Sequence, residues 1–183
     1  MRRAAFATLA IVASTACTAA DGEPAEDAGT AVEAADPAAY APTDAERTAI
    51  VATLQSVFDA LASGDADLLR SVMDPGVVMH FSERNAVGET SYGSSTVEGL
   101  ATRIASSDVP LIERMWDPAV SVDGSLATVW TPYDFYIGDQ FSHCGVDSAT
   151  LVNGEDGWKV VGLSWTRHQP PTCALHPNGP PEE

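Results

Sequence analysis

The chain has 183 residues, with 26 acidic and nine basic side chains and a formal charge of −17. Such a surface repels nucleic-acid phosphates and anionic lipid headgroups, so neither is expected as a partner of the folded part. The three cysteines and the N-terminal pattern make the compartment the first question.

Arg2 and Arg3 form a positive n-region, and Ala4 to Ala13 a short apolar stretch of the length that export signals use. It is shorter than the roughly 20 residues a spanning helix needs. Ser14, Thr15 and Ala16 lead to Cys17, an ending that resembles a bacterial lipoprotein signal, although Ser14 stands where that pattern favours Leu. The expectation is a signal peptide over residues 1–16 and Cys17 as the lipidated N-terminus, anchoring the protein at the cell envelope. Plain secretion and a retained anchor are the alternatives. Loss of Arg2 and Arg3 would leave the exported part at two charges below −17, that is −19.

Residues 18–42 read as an acidic, Ala-rich tether. It carries no Lys or Arg, and Tyr40 is its one aromatic, so it has little surface to bury. The domain proper is expected over residues 43–168, with a Pro-rich tail over 169–183. From Thr43 onward the chain has the size of one domain with a real core.

Thr43-Asp44-Ala45-Glu46 has capping-box spacing, and Ile50, Leu54, Val57, Phe58 and Leu61 then recur on one helical face. Ser63-Gly64 stops that helix, and Asp65 caps a short second one carrying Leu68, Leu69, Val72 and Met73. After the Asp74-Pro75-Gly76 turn, Val77 to Phe81 reads as a strand and Glu83 to Ser95 as a Gly/Ser-rich loop at a pocket mouth. Ser95-Thr96-Val97-Glu98 repeats the capping-box spacing and opens a third helix. Ile112 to Trp116 and Ala119 to Val122 are strands bent at Pro118. From Leu126 to His168, three runs rich in Val, Trp, Tyr, Phe and Thr are separated by Gly138-Asp139 and by Asn153 to Gly157. That is a three-stranded antiparallel meander.

This order, and the runs V-W-T-P-Y-D-F-Y (Val129 to Tyr136), F-S-H-C-G-V-D (Phe141 to Asp147), G-W-K-V-V (Gly157 to Val161) and T-R (Thr166-Arg167) before Cys173, resemble a known superfamily. It is the nuclear transport factor 2-like superfamily, also called SnoaL-like or ketosteroid-isomerase-like, in a bacterial branch often labelled lumazine-binding. The resemblance implies an α+β cone, three N-terminal helices on a strongly bent antiparallel sheet, with a pocket between them. It implies no single chemistry, because this fold hosts both enzymes and binders.

The candidate catalytic residues are Asp134, in the most aromatic strand, His143, and His80 on the first strand. In ketosteroid isomerases a pocket aspartate shuttles a proton, but none of these residues aligns by motif with it. By strand alternation His143 shares a face with Phe141, Gly145, Asp147, Ala149 and Leu151, with Asp147 roughly 13 Å away. Trp130, Tyr136 and Trp165 are candidates to line a pocket for a flat apolar ligand, or to serve as core or interface. With Cys17 committed to lipid, Cys144 and Cys173 are expected to pair in an oxidising compartment. A metal site built from His143, Cys144, His168, Cys173 and His176 is disfavoured, because strand neighbours point to opposite faces.

The expected function is an exported binding or accessory protein for a small apolar or aromatic ligand, without a tightly bound cofactor. The alternative is a small isomerase, dehydratase or hydrolase using pocket Asp and His. Aromatics on both faces of the meander also suggest a homodimer through the sheet.

Overall fold

A computed structural model describes residues 36–85 and 87–182. The signal segment, Cys17 and most of the tether lie outside the described residues. The last part of the tether, Pro37–Tyr40, is a 3₁₀ turn capped by Asp36, and Tyr40 borders a groove with Val122 and Ala127.

Helix α1 (Asp44–Ser63) starts at Thr43, whose hydroxyl accepts from the Glu46 N–H while the Glu46 carboxylate accepts from the Thr43 N–H. This reciprocal cap satisfies two backbone donors at the helix start and is worth about 1 kcal/mol. The helix buries Ile50, Leu54, Val57, Phe58 and Leu61, the residues the periodicity selects. Helix α2 (Ala66–Val72) is capped by Asp65 and buries Leu69.

Strand β1 (Val78–Arg84) is longer than its apolar run and pairs antiparallel with the following β2 (Thr90–Thr96). The expected loop over Glu83 to Ser95 is therefore largely a hairpin. Its polar sequence has weak strand propensity, but a seven-rung ladder with β1 supplies the backbone partners. Phe81 lies over Gly93, where an added Cβ would come 2.6 Å from the ring. Helix α3 (Val97–Ala105) is capped by Thr96 rather than Ser95, which is still paired in the ladder with Met79. Glu98 is not part of a capping box; it pairs with Arg70 of α2 instead.

Strands β3 (Leu111–Met115) and β4 (Ala119–Asp123) dock on successive halves of the long β5 (Leu126–Ile137). The break between them falls at Asp117, with φ 47°, and Pro118. Strands β6 (Gln140–Gly154) and β7 (Gly157–Arg167) complete the meander. The sheet order is β2-β1-β7-β6-β5-β3, with β4 also on β5. All pairs are antiparallel except β1–β7, which runs parallel and makes the sheet mixed.

Bulges between Phe135 and Tyr136 and between Thr150 and Leu151 bend the meander. Its concave face, with Ala127, Val129, Tyr133, Phe135, Ala149, Leu151, Val160 and Leu163, packs with the helices in one core. The convex face is partly covered by the C-terminal tail. Cys173 is joined to Cys144 by a disulfide with 5.8 Å between Cα atoms. The His176 N–H donates to Asp134, and the His176 ring meets Trp116 edge-on.

Candidate ligand-binding site

A cavity of about 130 Å³ opens between the concave sheet face and the helices. Its apolar wall comes from α1 (Val57, Phe58, Leu61), α3 (Leu100) and the sheet (Met79, Leu111, Phe135, Ile137, Leu163, Trp165). Polar groups complete the lining: Glu113 from β3, Ser142 and His143 from β6, Arg167 from β7, and Arg103 from α3. A wider cleft of about 530 Å³ lies outside, between the β1–β2 tip and the start of the tail. Ser142, His143 and Arg167 border both spaces and form the neck between them.

The polar cluster is built around two carboxyls. Asp147, on β6, is 1 % exposed and lies beside Glu113, and burial disfavours ionising both at once. Burial pushes Glu113 up to about 7, against the opposing pull of the Asp147 hydrogen bond and the Arg167 charge. Burial first, and then the neighbouring Glu113, raises Asp147 well above the usual carboxylate range. Two carboxyls this close in a dry site share their titration, and the pair is protonated at least once near neutral pH. Two atoms in this cluster, Asp147 Oδ2 and Arg167 Nε, are buried without a hydrogen-bond partner among the described residues.

Arg167 is held by packing rather than by an acid. Its guanidinium lies 4.0 Å from the centre of the Phe81 ring, and Phe81 in turn stacks on Trp165. Next to it the β6–β7 ladder opens, and the Thr166 carbonyl turns in over Gly145, where a Cβ would fall 2.1 Å from that oxygen. Only glycine allows this approach. The Tyr133 hydroxyl donates to the same carbonyl at 2.7 Å, and burial keeps the phenol protonated by raising its pKa.

His143 sits in the cup between the Phe135 and Tyr133 rings, with its Nδ1 2.9 Å from the Ser142 hydroxyl. Burial, and then the charges of Arg167 and Arg103, lower it to about 4, so the ring is neutral at physiological pH.

The other sequence candidates lie elsewhere. Asp134 is fully buried on the convex face, held by two hydrogen bonds from Arg114 at 2.9 and 2.7 Å and a third from the His176 N–H. It is a buried ion pair under the tail, on the opposite side of the sheet from the cavity. His80 is exposed, because Met79 and not His80 takes the inward position on β1. Trp130 is 59 % exposed on the convex face, and Tyr136 packs there against Phe141 and Arg114. Trp165 is the one aromatic candidate that lines the cavity. Phe141 does not share a face with His143, because the bulge leaves Ser142 as an extra residue between them and resets the alternation.

Sequence reasoning passed over Glu113 and gave Arg167 no role. The available signal was a single charge within an apolar alternation: Leu111-Glu113-Met115 on β3 and Gly145-Asp147-Ala149 on β6.

No family model and no curated protein matches this chain. Solved structures do match. A nuclear transport factor 2-like protein of unknown function from Silicibacter pomeroyi DSS-3 is 17 % identical, covering 69 % of this chain and 100 % of its own, with a TM-score of 0.51. A member of the same family from Streptomyces avermitilis with a proposed dehydratase activity is 18 % identical, covering 69 % and 98 %, with a TM-score of 0.52. A proposed aromatic ring hydroxylase from Novosphingobium aromaticivorans is 15 % identical, covering 71 % and 94 %, with a TM-score of 0.54. These likenesses are to the fold and carry neither the SnoaL nor the lumazine-binding label. The chain has the nuclear transport factor 2-like fold.

Proposed function

We propose that this protein binds one small, partly apolar molecule in the cup between helices and sheet. The observation that carries this reading is the cavity itself: mostly apolar, with Glu113, His143 and Arg167 among the groups that complete its lining. An apolar cavity of about 150 Å³ holds one benzene-sized ring, so 130 Å³ suits a single ring or a short branched chain. The test is native mass spectrometry of protein isolated from its own host. A co-purifying molecule of that size should be present on the wild type and absent from Leu100→Trp, which plugs the cup. An adduct retained by the plugged variant would refute the reading.

The Glu113–Asp147 pair favours a second reading, a small enzyme that moves a proton. A carboxyl titrating near 7 can take a proton from carbon beside a carbonyl and return it. Exchange of the α-hydrogens of cyclohexanone in D₂O, lost in Glu113→Gln, would support it; equal exchange in both proteins would dismiss it.

Export and anchoring through Cys17 belong to the same proposal: a lipidated N-terminus followed by a spacer would hold the domain clear of the membrane. Pairing of two copies through the uncovered convex surface around Trp130 is also proposed, and sedimentation at tens of micromolar tests it.

A further inference from the structure

Carboxylates outnumber basic residues 26 to nine in this chain, yet the cup does not share that bias. Among the described residues, Arg70, Arg114 and Lys159 each lie within 4 Å of a carboxylate. Arg47, Arg84, Arg103 and Arg167 do not; Arg47 donates to the Pro118 carbonyl away from the cup, and the other three border the cavity or its outer cleft. The acidic groups on the same walls are Glu83 and Glu113, and Glu113 keeps its proton up to about pH 7. His143 reports the same local field, since the charges of Arg167 and Arg103 help to keep it neutral. A half-buried guanidinium in an acidic protein, stacked on an aromatic ring and with its buried Nε unpartnered among the described residues, is suited to receive an anion.

We propose that the ligand is a ring-sized organic carboxylate. Its apolar body fills the inner chamber against Phe135, Leu163 and Trp165, and its carboxylate points to the neck at Arg167 and His143. This inference rests on the reading of the cup as a binding pocket. Arg167 supplies the charge and the neutral His143 a hydrogen bond. Ser142 offers a hydroxyl from the same strand, and Arg103 and Arg84 bias the approach from either side of the neck. The proton held by the Glu113–Asp147 pair removes one of its two negative charges from the chamber and so lessens repulsion of such an anion. Its inner volume limits the body to about one ring, and the outer cleft leaves room for a polar substituent beyond the carboxylate.

The test uses 4-fluorobenzoate and its uncharged isostere 4-fluorobenzamide, followed by fluorine NMR on the full-length protein at pH 6.5. The benzoate should bind at least tenfold more tightly than the amide, with an affinity that falls as salt rises. Arg167→Gln should remove the preference, its fold being checked by circular dichroism. If that variant does not fold, the exposed Arg103→Gln should still reduce benzoate binding two- to threefold and leave the amide unchanged. Equal binding of the two probes would overturn the anion inference and leave the pocket reading standing. Binding of neither would overturn both.

Discussion

Replacing Glu113 by Gln should make this protein more stable at pH 8 and leave it nearly unchanged at pH 4.5. Gln keeps a donor for Asp147 and cannot ionise. In the native protein Glu113 titrates at about 7 against an ordinary value of 4.5. A raised carboxyl binds its proton in the folded state while the unfolded chain releases it. Stability therefore falls as pH rises from about 4.5 to 7 and stays low above that. At 1.36 kcal/mol per pKa unit, the penalty at pH 8 is about 3 kcal/mol. Relief of that penalty should raise the melting temperature by about 10 °C in a domain of this size. His143 acts in the opposite sense. Lowered to about 4, it costs stability as pH falls from about 6.5 to 4. Comparing variant with wild type at each pH cancels that contribution. Scanning calorimetry at pH 4.5 and 8 is the assay. The same shift at both pH values, or destabilisation at pH 8, would refute the buried-pair argument.

Three further outcomes follow from the same geometry. Asp134→Ala should destabilise by about 3–5 kcal/mol by stranding Arg114, yet leave ligand affinity unchanged, because the pair sits on the convex face; denaturant melts and a binding isotherm check both halves. Cys144→Ser with Cys173→Ser should cost about 3–4 kcal/mol from the opened loop, the cysteines lying 29 positions apart in sequence. Thiol titration of the denatured wild type must then find neither cysteine free. Cys17→Ser should move the protein from the membrane to the soluble fraction after export, and a variant that still sediments after a high-salt wash would dismiss the lipid anchor.

Local chemistry made the elements legible. Thr43 and Glu46 announce a cap whose bonds lie within four residues, and Gly138-Asp139 and Asn153 to Gly157 mark reversals that need no distant partner. The Thr90–Thr96 strand was not legible, because its polar sequence becomes a strand through the β1 ladder. The candidate site was half legible for a related reason. His143 could be named as a catalytic candidate and Trp165 as a lining one, but Asp134 and Asp147 look alike in sequence, each a carboxylate inside an apolar strand. Which one faces the cup depends on how the sheet curves. The bulge at Ser142 then shifts the alternation by one residue, so counting from Phe141 fails. Glu113 acquires its character only when the fold buries it beside Asp147 and Arg167.

Two tryptophans offer the most direct check of the central claim. Trp165 lines the cup and Trp130 stands exposed on the opposite face of the sheet. Phenol, titrated into ¹⁵N-labelled protein, should shift the Trp165 indole N–H saturably and leave that of Trp130 in place. The Leu100→Trp variant should abolish the shift. Movement of the Trp130 signal with Trp165 unaffected would contradict a binding site between the helices and the concave sheet.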